Sequence, residues 1–433
     1  MVLHLLLVIF VFKNLVDFQI IFHKIQFLEI FISIPPYIFR QKIDKINYIF
    51  HFQIKMITSK YLFNKIVTNA NIDASKIEVK NDKFYDMVLS NHSLGLGESY
   101  MLNYWDYDSV DQLFYRLCRE KIIQKFKPSY AMMLKIVFNN LYSRIFNRQS
   151  ITSSKQVALK HYDISNEMYK NMLDKYMMYS CGYWLKANNL QDAQIAKLDL
   201  ICKKVGLHQP NNGDKKLVLD IGCGWGGFAK YAEQYYNVRV IGLTISKQQY
   251  EHIKQDNQAT EVLMQDYRNL LSEYENKFDA IVSIGMFEHV GPDNYNKFMQ
   301  VCSYYIKDEG LILLHTIGGL KARKVGEPWT DKYIFPNYVL PTLGQICNAS
   351  ETTDLVVEDF HNFGADYDKT LMAWNDNFNK WLDINNEPLT DEFIRMWRYY
   401  LLQCAGLFRA RDLQLFQVVL SKNGIVGGYV SVR

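Results

Sequence analysis

Apolar segments of strand length alternate with helical stretches through the second half of this 433-residue chain. The strand-like segments are residues 217–221, 238–243, 278–284 and 311–316. Strands that are apolar throughout and separated by helices are typical of a parallel sheet that is covered on both faces. The pattern therefore predicts an α/β fold with a doubly wound parallel sheet.

The segment before this sheet, residues 61–155, has a mainly helical pattern. Apolar residues recur at three- and four-residue spacing around Phe84 and around Leu113. A glycine-containing loop is predicted at 93–99, and the Ser- and Thr-rich residues 149–154 have the composition of a linker. The expected organisation is an N-terminal extension at 1–55, a smaller and mainly helical domain at 56–150, and the α/β domain at 151–433.

Residues 1–55 do not have a clean helical or strand period. Their first apolar run, residues 2–12, is shorter than the ~20 residues that span a bilayer. No small-residue cleavage site follows this run, as a secretory signal would require. Three interpretations stay open: an interfacial anchor, a targeting segment, or an extension upstream of a start at Met56. We favour the last.

The amino-acid composition and the distribution of charge indicate which kinds of partner the protein could bind. Apolar residues make up 49% of the chain and aromatic residues 15%, which fits an aromatic-rich interior or an apolar substrate. The net charge is only +4, but residues 121–160 contain Lys and Arg and no acidic residue. This stretch is either a solvated basic helix face or a patch for anionic lipid headgroups. Nucleic acid is the weakest of the options, and no nucleic-acid partner is expected.

The seven cysteines are scattered along the chain. They do not have the spacing of metal ligands, so no metal site is expected. Their number and arrangement favour a reducing compartment, which indicates a cytoplasmic protein.

A glycine-rich turn follows the first predicted strand. Gly222, Gly224 and Gly227 stand between residues 217–221 and a helical stretch, an order typical of a nucleotide-binding turn. A dinucleotide enzyme uses the same spacing, but it requires an acidic residue at the end of the second strand, which here ends in Gly-Leu-Thr. Asp220 directly before the turn can reach the amino or ribose groups of a different cofactor.

Several longer strings resemble the cyclopropane-fatty-acyl-phospholipid synthases, and the resemblance runs from about Tyr61 to the end of the chain. The strings are residues 93–100 (SLGLGESY), 179–184 (YSCGYW), 244–249 (TISKQQ), 286–291 (MFEHVG), 314–318 (LHTIG), 363–368 (FGADYD) and 405–412 (AGLFRARD). The resemblance implies the class I S-adenosylmethionine (SAM) methyltransferase fold. It also implies transfer of a methylene carbon from SAM to the cis double bond of a phospholipid acyl chain, with bicarbonate as base.

The resemblance also implies a role for each residue of two sites. The cofactor site would contain Asp220 and the implied contacts Tyr179, Ser180, Gly222, Gly224, Thr244, Ile245, Gln249 and Tyr267. The bicarbonate would be held by Glu288, His315 and Tyr367 with backbone groups near Cys181 and Ile317. Cys404 is a further candidate on resemblance alone, and Arg409 and Arg411 are expected to be internal partners rather than headgroup contacts.

The chemistry requires such residues. An alkene is a weak nucleophile that must be oriented against the sulfonium methyl with water excluded. The resulting carbocation requires a nearby negative charge and a base. Taken singly, Glu288 could instead be a helix-terminal carboxylate and His315 a core histidine.

Two rival functions stay open. One is a methyltransferase of the same fold that makes methyl-branched or methylene lipids or methylates an amine, and the other is a non-catalytic lipid-binding protein. The expected partner is an unsaturated phospholipid in an anionic membrane surface, with the protein peripherally associated. A homodimer is an open alternative to a monomer, and the headgroup and the double-bond position are not determined.

Overall fold

The computed structural model describes residues 59–68, 72, 76–120, 166–209, 213–255, 261–270, 272–385 and 389–433. The extension predicted at 1–55, the linker predicted at 149–154 and the basic stretch at 121–160 lie outside the described residues. The boundary predicted after residue 150 does too, so the division into domains stays a prediction. Within the described part of the chain, none of the helices has the length and apolar character needed to cross a membrane.

Helices and a two-stranded ribbon precede the large sheet. These elements are α1 (Ser59–Thr68), β1 (Glu78–Val79), α2 (Lys83–Met101), β2 (Trp105–Asp106), α3 (Val110–Arg119) and α4 (Asn166–Met172). The helical patterns around Phe84 and Leu113 are therefore confirmed.

The loop predicted at residues 93–99 is wrong, because these residues are part of α2. The helix bends at His92, which has φ 51° and ψ −122°, and then continues. Its glycines serve close packing instead of a turn. A Cβ on Gly97 would lie 2.3 Å from the Trp329 ring, and one on Gly95 would lie 1.9 Å from the Met87 carbonyl oxygen.

Seven strands form the large sheet. They are β3 (Lys216–Ile221), β4 (Val238–Thr244), β5 (Glu261–Met264), β6 (Phe278–Ile284), β7 (Ile306–Gly319), β8 (Leu355–Asn362) and β9 (Leu413–Lys422). All four predicted strands are confirmed, as β3, β4, β6 and β7. The strands lie in the order β5-β4-β3-β6-β7-β9-β8.

Helices connect and cover these strands. They are α5 (Leu190–Lys204), α6 (Gly227–Tyr235), α7 (Lys247–Gln255), α8 (Tyr295–Tyr305), α9 (Pro328–Tyr333), α10 (Leu343–Ser350), α11 (Ala365–Ile384) and α12 (Asp391–Arg409). Alternate residues of β3 face opposite sides of the sheet: Val218 packs with Phe228 of α6, and Leu219 packs in the cluster of Phe298 of α8. The predicted doubly wound α/β class is confirmed.

The sequence pattern predicted a parallel sheet, but the observed sheet is not entirely parallel. Strand β9 runs antiparallel to both of its neighbours, β7 and β8. Two helices that pack together, α11 and α12, stand between β8 and β9. A single connecting helix would carry the chain back to the edge of the sheet where the parallel strands begin. The pair α11 and α12 instead returns the chain to the edge where β8 ends, so β9 starts there and runs in the opposite direction.

The N-terminal helices share a core with the last two helices. Phe84, Trp105 and Phe114 are buried in the same cluster as Trp374 of α11 and Trp397 of α12. This cluster brings the N-terminal elements against the helices that precede β9.

An ion pair strengthens the same contact. Arg409 donates to Asp111 of α3 at 2.5 Å and to Asp368 of α11 at 2.7 Å, which confirms its internal role. Arg411 donates to Gln414 at 2.8 Å and to Asn362 at 3.3 Å. Both guanidinium groups are thus engaged within the protein.

We expect Gly406→Ala to lower the free energy of unfolding by about 1–3 kcal/mol, because overpacking a tight contact costs that much. A Cβ on Gly406 would lie 2.3 Å from the Asp111 carbonyl oxygen, where α12 crosses α3. Urea denaturation measures the change. The matched control is Gly344→Ala in α10, whose Cβ would have no neighbour closer than 4.0 Å. Equal stability of the two variants would contradict the described packing.

Candidate active site

A cavity of about 860 Å³ opens at the carboxyl end of the parallel strands and extends to the N-terminal helices. Most of the residues singled out from the sequence line it: Tyr179, Ser180, Asp220, Gly222, Gly224, Thr244, Ile245, Gln249, Tyr267, Glu288, Ile317, Tyr367 and Cys404. Cys181 and His315 do not line it; both are buried, Cys181 next to the lining residue Ser180 in the chain and His315 two residues before the lining residue Ile317. The part of the wall from α2 and α3 is mainly apolar, with Phe84, Val88, Leu96, Leu113 and Phe114.

The predicted strand, glycine turn and helix are confirmed at β3 and α6. Gly222 has φ +84° and Gly224 has φ +56°, conformations that favour glycine. The Gly222 and Cys223 amides both donate to the Leu243 carbonyl oxygen, at 3.0 and 2.9 Å, which ties the turn to β4. A Cβ on Gly224 would meet no atom within 4 Å, so the backbone here faces open space.

Asp220 is buried beside this turn with only 1% of its surface exposed. Neither of its carboxylate oxygens has a hydrogen-bond partner among the described residues. Burial raises the pKa of Asp220 to about 7, against the opposing effect of the Lys197 charge. A buried carboxyl with unused acceptors beside a cavity is suited to bind a polar ligand group.

The neighbouring polar side chains are already oriented. The Thr244 hydroxyl donates to Gln249 Oε1 at 2.8 Å and accepts from the Ser246 amide at 3.1 Å. Tyr267 packs on Phe298 with 5.4 Å between ring centroids, and its buried hydroxyl has no partner in the described structure. These contacts place hydroxyl and amide groups along the cavity on both sides of the glycine turn.

Glu288 and Ile317 meet where β6 and β7 end. The strands are parallel neighbours, with Ile284 at the end of β6 paired to His315, so Glu288 and Ile317 both lie at the carboxyl edge of this pair. Glu288 Oε1 accepts from the Ile317 amide at 2.7 Å, whereas the buried Oε2 has no partner in the described structure. Burial raises the pKa of Glu288 to about 7, and the Ile317 amide opposes this effect.

A residue of the neighbouring strand β9 contacts the His315 ring. Its Nδ1 lies 3.2 Å from the Gln417 side-chain amide nitrogen of β9. With this amide donating, the ring proton lies on Nε2, which is buried and has no partner in the described structure. Burial lowers the pKa of His315 well below its ordinary value, and the charges of Lys197 and Lys204 add to this effect. The imidazole is therefore neutral.

Tyr367 lies in the first turn of α11 and is buried. Burial raises its pKa well above the ordinary value, and the nearby Cys181 and Glu288 raise it further, so the phenol stays protonated and can donate. Cys181 is fully buried, its thiol donates to the Gly182 carbonyl oxygen at 3.2 Å, and burial raises its pKa. Burial raises the pKa of Cys404 to about 12, which disfavours the thiolate that a nucleophilic role requires.

Sequence reasoning missed two buried polar residues of α5. Lys197 Nζ donates to the Ser180 hydroxyl at 2.9 Å, and Gln194 Nε2 donates to the Ser180 carbonyl oxygen at 2.8 Å. Both are fully buried, and burial lowers the pKa of Lys197 to about 8. The signal was present, because Lys197 is four residues from Ala193 and from Ile201, on the apolar face of the helix.

Comparison with known proteins decides the family. A family model described as mycolic acid cyclopropane synthetase matches residues 148–418. The cyclopropane-fatty-acyl-phospholipid synthase of Escherichia coli (strain K12) is 46% identical over 355 residues, which are 81% of this chain and 89% of that protein. The chain belongs to the cyclopropane synthase family.

Solved structures agree with this assignment. The mycolic acid cyclopropane synthase CmaA1, in complex with S-adenosylhomocysteine (SAH) and CTAB, is 30% identical with a TM-score of 0.55, over 62% of this chain and 98% of that one. Coclaurine N-methyltransferase, also bound to SAH, is 25% identical with a TM-score of 0.58, over 76% of this chain and 99% of that one. This cyclopropane synthase homologue therefore has the class I SAM methyltransferase fold and is a SAM-dependent transferase.

Proposed function

We propose that this enzyme adds a methylene carbon from SAM across the cis double bond of an unsaturated phospholipid acyl chain, which gives a cyclopropane ring. One observation carries the proposal. Glu288 lines the apolar cavity and has a buried acceptor atom, Oε2, without a partner in the described structure, and His315, buried behind the cavity wall, has a ring nitrogen, Nε2, that also lacks one. An amine acceptor would not require this pair, whereas a small anion would engage both atoms.

The donor set fits bicarbonate. We infer that Glu288 Oε2 accepts from its hydroxyl, and that His315 Nε2 and the Tyr367 hydroxyl donate to its oxygens. The backbone near Cys181 and Ile317 would complete the site. When bound, bicarbonate supplies a base for the methyl proton and a negative charge beside the developing carbocation. His315 is neutral, so it would not form an ion pair that neutralises the bound bicarbonate. The Ile317 amide fixes the orientation of Glu288.

The cofactor assignment is supported by the same cavity. We propose that Gly222 and Gly224 allow the close approach of SAM, and that Asp220 accepts from its amino or ribose groups. Thr244, Ile245 and Gln249 would contact the nucleoside, Tyr267 would lie by the adenine, and Tyr179 and Ser180 would close over the amino-acid end. SAM supplies the transferred carbon. The apolar wall from α2 and α3 keeps water away and holds the acyl chain in a reactive orientation.

We expect Lys197→Met to weaken SAH binding by about 10- to 100-fold, because the Ser180 hydroxyl loses a charge-assisted hydrogen bond. Methylthioadenosine lacks the amino-acid end, so its affinity should change little. Calorimetric titration measures both ligands. The control is Lys203→Met on the same helix, since Lys203 is half exposed and pairs with Asp199 at 2.6 Å. Equal losses for the two ligands would show that Lys197 only supports the fold.

The test of the function is lipid mass spectrometry after expression of the full chain in cells that lack cyclopropane lipids. We expect monounsaturated chains to gain one CH2 and to resist mild hydrogenation. Unchanged lipids together with SAH binding by the purified protein would overturn the proposal in favour of an amine or another acceptor. A gain of CH2 that is sensitive to hydrogenation would instead identify a methylene-bearing product.

Three further proposals concern the setting of the enzyme. Peripheral association with an anionic membrane surface is supported by the basic stretch at 121–160. A cytoplasmic location is supported by the seven cysteines, all of which are free. A homodimer is a proposal that light scattering of the purified protein would test.

A further inference from the structure

The place where the cavity meets solvent can be identified from its own lining. Lining residues that are also exposed mark where the cavity wall reaches solvent. Five lining residues are exposed in the described structure: Leu320, Lys321, Arg323, Pro328 and Asp412. Four of the five come from the single segment that follows β7. We call residues 319–325 of this segment the mouth loop.

The mouth loop carries a concentrated positive charge. Lys321, Arg323 and Lys324 are all exposed, and none of the ion pairs found in the described part of the chain involves them. The nearest acidic residue along the chain, Glu327, is engaged elsewhere. Its carboxylate accepts from the Trp329 and Thr330 amides at 3.0 and 2.8 Å at the start of α9. The three cations are thus available to an anionic partner.

An apolar side chain stands beside these cations. Leu320 is 64% exposed although it lines the cavity. An exposed large apolar residue next to a basic cluster matches a membrane interface, where the acyl region and the anionic headgroups are adjacent. An acidic protein surface would match the cations but not this apolar residue.

The loop is also connected directly to the reaction site. Ile317, whose amide holds Glu288, is three residues before Leu320 in β7. The Gly319 amide donates to the Pro341 carbonyl oxygen at 2.8 Å, which fixes the end of the strand. An acyl chain that enters the cavity with its methyl end first would leave its headgroup at the mouth loop.

We propose that the mouth loop docks on an anionic phospholipid surface, with Lys321, Arg323 and Lys324 at the headgroup phosphates and Leu320 in the acyl region. The mouth loop contains no residue of the basic stretch at 121–160. The proposal rests on the proposed function, because it assumes that a phospholipid acyl chain occupies the cavity. It adds that the headgroup class is anionic and that docking and substrate entry occur at one place.

The experiment is sedimentation of the full-length protein with phosphatidylglycerol vesicles. We expect the triple variant Lys321→Gln, Arg323→Gln, Lys324→Gln to bind about 10- to 100-fold more weakly, since each cation near an anionic surface contributes to attraction. The matched control is Lys215→Gln, Lys254→Gln, Lys277→Gln, which removes the same charge from exposed sites that do not line the cavity mouth. Binding of the wild type should also weaken as salt rises.

The outcomes separate docking from function. SAH binding should be unchanged in the triple variant, because none of the substituted residues belongs to the proposed cofactor site. Equal vesicle binding by the triple variant and the control, or no binding by the wild type, would overturn the docking proposal. Failure of the wild type to modify dispersed phospholipid would instead overturn the proposed function.

Discussion

Glu288→Gln should lower the rate of cyclopropane formation by about 100- to 10,000-fold, the range typical for loss of a group that governs proton transfer. The Gln side chain can keep the hydrogen bond from the Ile317 amide, which now ends on Oε1 at 2.7 Å. It replaces the unused acceptor Oε2 by an NH2 donor, which cannot accept from the hydroxyl of the proposed anion. Single-turnover assays with dispersed phospholipid measure the rate.

The stability of Glu288→Gln as a function of pH shows whether the variant is folded. Burial raises the pKa of Glu288 to about 7, above its value in an unfolded chain. Its contribution to stability is therefore complete below the ordinary glutamate pKa and is lost as pH rises through about 7. Gln does not titrate, so Glu288→Gln should gain stability relative to the wild type between about pH 5 and 8, by about 1–3 kcal/mol.

These two measurements together test the role of Glu288. A folded variant that binds SAH with normal affinity and fails in turnover supports the proposed role at the reacting centre. Near-normal turnover would show that Glu288 is only a structural carboxylate at the end of β6. A loss of SAH affinity equal to the loss of turnover would place its effect on the cofactor instead.

Gly222→Ala should reduce SAH affinity by about 100-fold or more. A non-glycine residue at φ +84° costs about 1–2 kcal/mol. Its Cβ would also lie 2.7 Å from Met286 Cβ and Cγ, so the turn has to move, at a further cost of about 1–3 kcal/mol. A shift of this turn displaces Asp220 and Gly224, which we propose contact the cofactor. Equilibrium binding of SAH measures the effect.

The control for backbone strain is Gly424→Ala. Gly424 has φ +83°, nearly the same conformation, but its Cβ would have only an ordinary contact with Val356 at 3.6 Å. This variant should lose a similar amount of stability from strain and keep its SAH affinity. If both variants bind SAH equally well, the turn at Gly222 does not position the cofactor.

The two predictions concern neighbouring parts of one edge of the sheet. Strands β3 and β6 are paired in parallel, with Asp220 opposite Val282, so the glycine turn and the Glu288 turn emerge side by side. In such sheets, ligands bind outside the carboxyl ends of the strands. A sulfonium methyl held at the first turn can therefore face an anion held at the second.

Much of the fold was available from the sequence. Apolar runs that alternate with helical stretches predicted β3, β4, β6 and β7, because burial on both faces requires apolar residues at every position of a strand. The glycine turn was predicted from residue types alone, since positive φ values favour glycine at Gly222 and Gly224. The longer strings supplied the family, which the family model and the Escherichia coli relative confirm.

The candidate site could be predicted from the sequence only in part. Thirteen of the residues singled out line one cavity, which the sequence could suggest only through their positions at strand ends. Cys181 and His315 are behind that wall. Lys197 was missed because a lysine within an apolar pattern is ordinarily assigned to solvent, and its burial depends on the Ser180 hydroxyl, 17 residues away.

The sequence by itself determined the local elements, the glycine turn and the family, because these depend on the conformational preferences of nearby residues and on burial patterns with a short period. The tertiary structure decided the features that depend on two distant segments meeting. The segment with Gly95 and Gly97 is part of a helix rather than a loop, with Gly97 packed against Trp329 and Gly95 against the Met87 carbonyl group. Strand β9 runs antiparallel because two helices precede it, and this strand brings Gln417 to His315. Such contacts have no local signature, since either partner alone is compatible with several surroundings.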